Sequence, residues 1–257
     1  MTEYHSPKWK AFLEEKGFST FASLWEREDK WFEPPNEGRS KNGWSGVCKI
    51  DIGGESFFLK KQENFYAYSI RYPLGISVAE REFKNLQMFD DLKVPAMHVV
   101  YFGVRKEKGR LQGIIITEDL DKYICLQEVR ERWNVTAPSL EHKRNLLKNC
   151  ALLLREAHKK GVMHCSLYPK HIFVGKSLVE KNVIAEDPLC RFIDMEKAIK
   201  ASWGSKKQLR DLDTLNRRSH SWTRQDRLYF LMCYLQKEKA DKEVREFIKR
   251  IESITKN

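Results

Sequence analysis

The spacing of hydrophobic residues changes along this chain, and that change limits the possible folds more than any other feature. Residues 47–60, VCKIDIGGESFFLK, contain two runs rich in Val, Ile and Phe around Gly53-Gly54. This pattern predicts a β-hairpin with the two glycines in its turn. From Val78 to Phe89, apolar side chains recur every three or four residues, which predicts an amphipathic helix that ends before Val94-Pro95.

Two more strands are predicted before residue 118, and mostly helices after it. The strands run from Met97 to Val104 and from Leu111 to Thr117, with a polar turn at residues 106–109. In the second half, Ser139 can cap a long helix that Gly161 ends. The apolar stripe of that helix consists of Leu146, Leu147, Cys150, Leu153, Leu154 and Ala157.

The remaining elements complete an α+β pattern. Short strands are predicted at His171 to Val174 and Arg191 to Asp194, followed by helices near residues 209–218, 224–236 and 241–254. Separate sheet-rich and helix-rich regions predict an α+β fold. At 257 residues the chain is long for one small core, so we expect a single domain of two lobes. Residues 1–118 would form the sheet-rich lobe and residues 119–257 the helical lobe.

Net charge, cysteine spacing and the length of apolar runs limit the cellular compartment and the binding partners that this chain can have. The formal net charge is +11, which favours nucleic acid, an acidic membrane surface or a phosphate-bearing substrate. The six cysteines are scattered without a Cys-x-x-Cys pair, as expected of reduced thiols in the cytosol. No apolar run approaches the ~20 residues of a membrane span. We therefore expect a cytoplasmic protein, with weak, salt-sensitive contact with the inner membrane as a further hypothesis. Only salt-resistant binding would point to insertion, for which Trp9, Phe12 and Leu13 are the candidate amphipathic segment.

Two features suggest a phosphate site in the first lobe. Residues 42–47, NGWSGV, precede the predicted hairpin, and Gly43, Ser45 and Gly46 would let backbone N–H groups approach a phosphate. An ordinary surface turn would give the same pattern. Lys60 ends the second hairpin strand, where it can hold a phosphate as a point charge. Glu80 and Glu82 on the next helix can fix this lysine, and Glu82, adjacent to an apolar position, is the preferred partner; solvated surface charges are the alternative.

A second cluster lies beyond the long helix. Residues 164–174 read HCSLYPKHIFV, and residues 192–196 read FIDME. A helix, a loop that begins with His, a short strand and an Asp at the end of another strand follow the order of a kinase catalytic loop and metal site. The His-x-x-x-Tyr-x-x-His-Ile-Phe and Ile-Asp-Met-Glu runs resemble the lipopolysaccharide Kdo and heptose kinase family, especially its InaA-type branch. The resemblance extends from about Gly38 to about Leu231.

This resemblance implies a protein-kinase-like fold that uses ATP and Mg²⁺. It makes Asp194 the magnesium ligand, Lys60 the phosphate lysine, and His164 the residue that holds the catalytic loop in shape. Glu118 and Leu120 would belong to the linker whose backbone faces adenine. The acceptor implied is a sugar hydroxyl of lipopolysaccharide core or of a related envelope glycolipid, at the cytoplasmic face of the inner membrane.

Two positions depart from the pattern of active kinases. Ser166 stands where the resemblance places an Asp that accepts the substrate proton, and a serine hydroxyl is not basic at neutral pH. His171 stands where protein kinases use Asn for a second magnesium ion, and imidazole is a poor ligand for that hard cation. The sequence therefore predicts at most one firmly bound metal. A non-catalytic, nucleotide-binding pseudokinase or regulator is the alternative function.

Three other interpretations start from the same residues. A zinc site built from His158, His164, Cys165 and His171 lacks paired ligand spacing. Nucleic-acid binding fits the positive charge, but no recognisable nucleic-acid motif supports it. A late basic cluster could face phosphorylated sugar or anionic lipid, although a solvated helix face explains each residue as well. The cluster consists of Lys206, Lys207, Arg210, Arg217, Arg218, Arg224 and Arg227.

Overall fold

The computed structural model describes residues 2–36, 43–69 and 72–255. The chain divides into two compact units. The sheet unit comprises Met1–Gln87 and Met97–Asp119, and the helical unit comprises Met88–Ala96 and Leu120–Asn257. The assignment of both to one two-lobed domain stays a prediction.

The sheet unit is built mainly from antiparallel strands. Its elements in chain order are β1 (Thr2–His5), α1 (Lys10–Glu15), α2 (Phe21–Trp25), β2 (Trp31–Glu33), β3 (Trp44–Ile52), β4 (Glu55–Glu63), β5 (Tyr66–Ser69), β6 (Tyr72–Ser77), α3 (Val78–Asp91), β7 (Val99–Glu107) and β8 (Arg110–Glu118). Six strands form one sheet in the order β1-β7-β8-β4-β3-β2, and β5 and β6 form a separate pair. Helix α3 extends beyond this unit by its last residues.

Both predicted hairpins are confirmed. Gly53 and Gly54 connect β3 to β4 with φ angles of +60° and +88°, the left-handed backbone that this two-residue turn requires. Lys108 and Gly109 connect β7 to β8 in the same way, with φ angles of 48° and 80°. In the resulting register, Lys60 of β4 lies between Val47 of β3 and Ile115 of β8.

The amino-terminal helix α1 belongs to the core of this unit. Leu13 is fully buried in a cluster with residues such as Phe57 and Leu59. Trp9 packs edge-on against Phe57 at 5.0 Å, and Phe12 packs against both. The apolar surface of Trp9, Phe12 and Leu13 thus packs against the sheet, which argues against a role for this segment in inserting into a membrane.

The helical unit contains the long helix and the two short strands that the sequence predicts. Its elements are β9 (Tyr123–Cys125), α4 (Leu126–Val135), α5 (Leu140–Lys159), β10 (Val162–Met163), β11 (Ile172–Gly175), α6 (Lys176–Lys181), β12 (Cys190–Phe192), β13 (Ile199–Lys200), α7 (Lys206–Arg218), α8 (Arg224–Leu235) and α9 (Lys242–Thr255). Strands β12, β11 and β9 form a three-stranded sheet, and β10 pairs with β13.

Helix α5 begins and ends as predicted. Ser139 Oγ accepts a hydrogen bond from the His142 N–H at 3.1 Å, which caps the amino terminus. Gly161 follows the last turn with φ +77°. All six residues of the predicted apolar stripe are buried. Across the described ranges, no helix is long and apolar enough to cross a membrane.

Candidate active site

The sheet unit supplies a lysine fixed by a buried glutamate. Lys60 Nζ donates to Glu82 Oε2 at 2.7 Å, and the Glu82 side chain is 2% exposed. Glu80, the other candidate partner, pairs with Lys84 on the surface of α3. Strand β4 therefore presents a positioned lysine whose side chain is 24% exposed. Its role in holding phosphate stays a prediction.

The glycine segment differs from its predicted position. Strand β3 begins at Trp44, so Ser45 and Gly46 lie inside the strand, where the sequence placed a loop; Asn42 lies outside the described residues. A Cβ on Gly46 would come within 2.6 Å of the Trp31 ring. Gly46 is thus explained by close packing against β2, while Gly43 is buried just before β3. Ser45 Oγ accepts from Gln62 Nε2 at 3.1 Å.

The predicted linker lies at the end of β8. The Glu118 N–H donates to the His98 carbonyl, and the Glu118 carboxylate accepts from Lys8 Nζ at 2.8 Å and Trp9 Nε1 at 2.6 Å. Burial alone would raise the pKa of Glu118, but these two hydrogen bonds and the Lys8 charge lower it overall. Leu120 follows in the helical unit, where its carbonyl accepts from the Tyr123 N–H. The Glu118 side chain thus anchors the amino-terminal segment.

A buried carboxylate holds the loop of residues 164–171 in place. The sequence alone did not indicate this role. Asp211 on α7 is 1% exposed, and its two oxygens accept the backbone N–H groups of His164 at 2.7 Å and Cys165 at 2.8 Å. Cys165 has φ +59°, a left-handed conformation that is costly for a side chain other than glycine. The Asp211 carboxylate offsets that cost and fixes the start of the loop.

His164 connects this loop to the segment before Asp194. Its Nε2 lies 2.9 Å from the Ile193 carbonyl, and its Nδ1 accepts from the Ser166 N–H at 3.3 Å. A carbonyl can only accept, so the proton resides on Nε2 and the ring is neutral. Burial lowers the pKa of His164 and keeps this state. The geometry supports the expectation that His164 holds the loop in shape.

His171 and Asp194 face each other at the far end of the loop. His171 Nδ1 lies 2.7 Å from the Ser166 carbonyl, and its Nε2 lies 3.3 Å from Asp194 Oδ2. Burial lowers the pKa of His171 to about 4, so the ring is neutral near pH 7. The pairing of β11 with β12, together with the Ile193 N–H that donates to the His171 carbonyl, fixes this arrangement.

Ser166 occupies the middle of the loop and is 9% exposed. Both backbone groups of Ser166 form hydrogen bonds. Its N–H donates to His164 Nδ1, and its carbonyl accepts from His171 Nδ1. Basic side chains surround the same loop. Arg218 lies over the Tyr168 ring at 5.4 Å. Burial raises the pKa of the Cys165 thiol to about 11, and the charges of Lys207 and Arg210 oppose that rise.

Other members of the proposed basic cluster and zinc set have structural partners. Arg217 pairs with Asp213 at 2.9 Å, and Arg227 donates to the Ser219 carbonyl at 2.8 Å. His158 is fully buried between the Tyr234 hydroxyl and Asp211. Each of these side chains stabilises the helical unit.

Asp194 is the expected ligand for a nucleotide-bound divalent ion, and this role stays a prediction. Ions such as Mg²⁺ are commonly held by one or two carboxylates together with substrate phosphates. Among the described residues, no group of three or more His, Cys, Asp or Glu side chains is placed to hold a metal by itself. Asp194 is 37% exposed and lies at the end of the loop, so phosphate oxygens would complete its coordination.

Comparison with known proteins gives consistent matches. Residues 22–234 match the family model "Lipopolysaccharide kinase (Kdo/WaaP) family". Protein InaA of Escherichia coli (strain K12) is 28% identical over 181 residues, which cover 70% of this chain and 79% of InaA. The lipopolysaccharide core heptose(I) kinase WaaP of Escherichia coli is 30% identical over 173 residues, covering 60% of this chain and 62% of that enzyme. WaaP of Pseudomonas aeruginosa is 26% identical over 200 residues, 74% of each chain.

A solved structure, "WaaP in complex with acyl carrier protein", has the same fold. It covers 99% of both chains with a TM-score of 0.68 and 20% sequence identity. The predicted α+β, kinase-like fold is therefore confirmed. The beginning of the expected resemblance, near Gly38, lies outside the described residues.

Proposed function

The chain belongs to the lipopolysaccharide kinase (Kdo/WaaP) family, and we propose that it transfers the γ-phosphate of ATP to a sugar hydroxyl of lipopolysaccharide core or a related envelope glycolipid. The observation that carries this proposal is the 164–171 loop, which Asp211 fixes from below and which places His171 beside Asp194. The left-handed backbone of Cys165 is costly, and the Asp211 carboxylate offsets that cost to hold the loop in place. The proposed location is the cytoplasmic face of the inner membrane.

Each residue then has a defined task. Lys60, held by Glu82, would bind the α and β phosphates, and Asp194 would hold the divalent ion, for which the resemblance indicates Mg²⁺. That ion would neutralise charge between the β and γ phosphates. Backbone groups near Glu118 and Leu120 would bind adenine. Because phosphoryl transfer depends mainly on positioning and charge stabilisation, these residues could support the reaction without a strong base.

The proton balance follows from Ser166. The acceptor oxygen forms a bond to the γ-phosphorus while the bond from that phosphorus to the β,γ-bridging oxygen breaks, and ADP leaves. Ser166 cannot take the hydroxyl proton at neutral pH. The proton therefore passes to an oxygen of the transferred phosphate or to water. We expect turnover to be slow for this reason.

The alternative proposal is a nucleotide-binding pseudokinase, and Ser166 is the observation that favours it. Both proposals require nucleotide binding, but only the kinase requires transfer. Net charge +11 also favours an anionic protein partner. Since the related WaaP structure contains acyl carrier protein, binding of such a carrier to this chain is a further proposal, testable by co-purification.

Two measurements on the same protein test the proposed function. ATP with a divalent ion should raise the melting temperature through mass action, and γ-³²P should move from ATP to envelope glycolipid extracts. Lys60→Met should weaken nucleotide binding, whereas Lys84→Met, which removes the exposed Lys84–Glu80 pair on the same unit, should not. Asp194→Asn should remove most of the metal-dependent stabilisation.

The outcomes separate the two proposals. Nucleotide binding with transfer supports the kinase, and nucleotide binding without transfer to any glycolipid supports the pseudokinase. If millimolar ATP fails to shift the melting temperature of the wild-type protein with any divalent ion, both proposals are wrong.

A further inference from the structure

A row of polar side chains crosses the sheet unit on the face opposite Lys60. Arg105 on β7 lies opposite Gln112 on β8, and Gln112 lies opposite Glu63 on β4. Because side chains alternate between the two faces of a strand, Glu63 and Lys60, three positions apart on β4, lie on opposite faces. The row is therefore separate from the proposed nucleotide lysine.

Hydrogen bonds connect this row and hold two arginines in place. Gln112 Oε1 accepts from Arg105 Nε at 2.9 Å, and Gln112 Nε2 donates to Glu63 Oε2 at 3.1 Å. The other Glu63 oxygen, Oε1, accepts from Arg110 Nη1 at 2.7 Å. Glu63 and Gln112, at the centre of this network, are both buried. Burial alone would raise the pKa of Glu63, but the hydrogen bonds from Gln112 and Arg110 lower it overall, so the carboxylate is charged near pH 7.

Both arginines keep N–H donors that the network does not use. Arg105 pairs through Nη2 with Glu107 at 2.6 Å, and its guanidinium lies over the Phe21 ring at 4.5 Å. Within the described ranges, Arg105 Nη1 has no acceptor, and Arg110 donates through Nη1 alone. The two arginines are diagonal neighbours across the β7–β8 ladder, a spacing that long side chains can bridge.

The arginines line a concavity of about 510 Å³, which is the size of a small-molecule site. Its lining residues are Trp25, Arg105, Glu107, Lys108, Arg110 and Gln112, all within the sheet unit. The Trp25 ring is held by stacking on Phe21 at 5.7 Å and by packing against Trp44 at 5.8 Å. Lys108 lies in the β7–β8 turn and has no ion-pair partner in the part of the chain that the structure describes.

We propose that this concavity is a second anion site, which binds the phosphate group of a phosphorylated sugar. Arg105, Arg110 and Lys108 would hold the phosphate, because guanidinium groups match its oxygens in pairs and the lysine adds a point charge. The Trp25 indole would give the sugar ring an apolar surface to pack against. Binding here does not require the proposed nucleotide site, since Lys60 faces the other side of the sheet.

Calorimetric titration with glucose 6-phosphate tests this site. The sugar phosphate should bind saturably, inorganic phosphate more weakly, and glucose not measurably. Arg110→Gln and Lys108→Gln should each weaken binding of glucose 6-phosphate roughly tenfold, the loss expected for a charge-assisted hydrogen bond. Lys108→Gln changes a turn residue without an ion-pair partner, so it tests the site even if Arg110→Gln lowers the melting temperature.

Three control variants should bind glucose 6-phosphate as the wild type does. Lys106→Gln removes a charge from the same hairpin, but Lys106 is next to Arg105 on β7 and therefore faces the other side of the sheet. Arg217→Gln removes another half-exposed arginine that pairs with a buried carboxylate, Asp213, at 2.9 Å. Lys60→Met removes the proposed nucleotide lysine.

Vesicles distinguish a soluble sugar phosphate from a glycolipid head group. Phosphatidylcholine vesicles that carry phosphatidylinositol 4-phosphate present a ring with a phosphate monoester, and vesicles that carry phosphatidylinositol present the same ring without it. Binding to the first vesicles that Arg110→Gln weakens would assign the site to a lipid-borne phosphate. Binding of glucose 6-phosphate alone would assign it to a soluble sugar phosphate.

Two results would overturn the inference. One is that neither glucose 6-phosphate nor the phosphatidylinositol 4-phosphate vesicles bind. The other is that binding is unchanged in Arg110→Gln and Lys108→Gln, or is lost in Lys60→Met, which would place the phosphate elsewhere. The melting-temperature shift with ATP is measured separately, so a failure of this second site leaves the proposed function standing.

Discussion

Asp211 shows how one side chain can fix a loop 46 residues away in sequence. Its two oxygens accept the N–H groups of His164 and Cys165, and it lies 3.3 Å from His158 Nε2. From sequence alone Asp211 is a candidate proton acceptor, because any carboxylate can take a proton. Both its oxygens are occupied by backbone donors, so it acts as a positioning residue.

Asp211→Asn should therefore damage both stability and nucleotide handling. An amide keeps one acceptor but turns an N–H group toward a backbone donor, which costs about 2 kcal/mol at a buried site. Urea unfolding measures that loss. Asp213→Asn, which removes another buried carboxylate from α7, is the control. Only Asp211→Asn should also weaken metal-dependent ATP binding under conditions where both variants remain folded; equal effects on binding would contradict the positioning role.

Ser166→Asp should install the missing proton acceptor. If ATP, metal and acceptor hydroxyl are already aligned, general base catalysis is worth ~10²-fold or more in transfer rate. The rate of γ-phosphate transfer to glycolipid is the measurement, with nucleotide affinity as the control for correct folding. A fall in transfer with unchanged affinity would mean that the new carboxylate mainly repels phosphate, and that the natural reaction releases its proton elsewhere.

Single residues differed in how well the sequence predicted them. The Lys60–Glu82 pair follows from strand and helix patterns, because one strand position and one helix position beside an apolar residue determine which charges meet. Asp211 carries no such local signal, since only the packing of α7 beneath the loop reveals its partners. Gly46 looked like a phosphate-binding glycine, but the contact that requires it comes from Trp31, whose position depends on the register of β2 against β3.

Elements with strong local signals were predicted, and those that depend on distant partners were not. The glycine turn of β3–β4 and the Ser139 cap of α5 are encoded within a few residues. Helix α1 has only six residues and no side-chain cap, so its position depends on packing against the sheet. The short β5–β6 pair has a register shift between Ala67 and Ser69, which interrupts the alternation that would identify it.

The contact of Glu118 with the α1 segment predicts a pH-dependent stability. Its folded pKa is lowered from 4.5, so its contribution is present above that pH and is lost as pH falls through the folded pKa. Glu118→Gln should reduce the free energy of unfolding by about 1 kcal/mol at pH 7. The difference from wild type should shrink steadily as the pH is lowered below 4.5.

Denaturant unfolding at several pH values measures this effect. Glu15→Gln is the control, since Glu15 is an exposed glutamate of α1 that pairs with the neighbouring Lys16, and it should change the unfolding free energy little at any pH. A Glu118→Gln difference that persists unchanged at pH 3 would show that the lost contribution is not the charge of Glu118.

At the scale of the whole molecule, net positive charge and the burial of apolar side chains together determine how the protein is expected to bind a membrane. We expect the net charge of +11 to favour binding to anionic lipid, because each basic side chain near such a surface contributes about 1 kcal/mol. The apolar side chains of α1 are occupied by the sheet, as Leu13 at 0% exposure shows. An electrostatic association is therefore expected to dominate over insertion.

Binding to anionic vesicles should be reversible and sensitive to salt. At physiological ionic strength the screening length is about 8 Å, so attraction from charges that are not in direct contact with lipid headgroups falls steeply as salt rises further. Vesicle co-sedimentation across a salt series measures this, with zwitterionic vesicles as the control. Binding that survives ~1 M salt, where screening is nearly complete, would contradict the prediction.

If binding does resist salt, the exposed side chains of the β5–β6 pair are the candidates for membrane insertion, since Leu74 is 94% and Tyr68 is 69% exposed. Leu74→Ser should then reduce the salt-resistant fraction, whereas Val135→Ser, at an apolar residue 88% exposed on α4, should not.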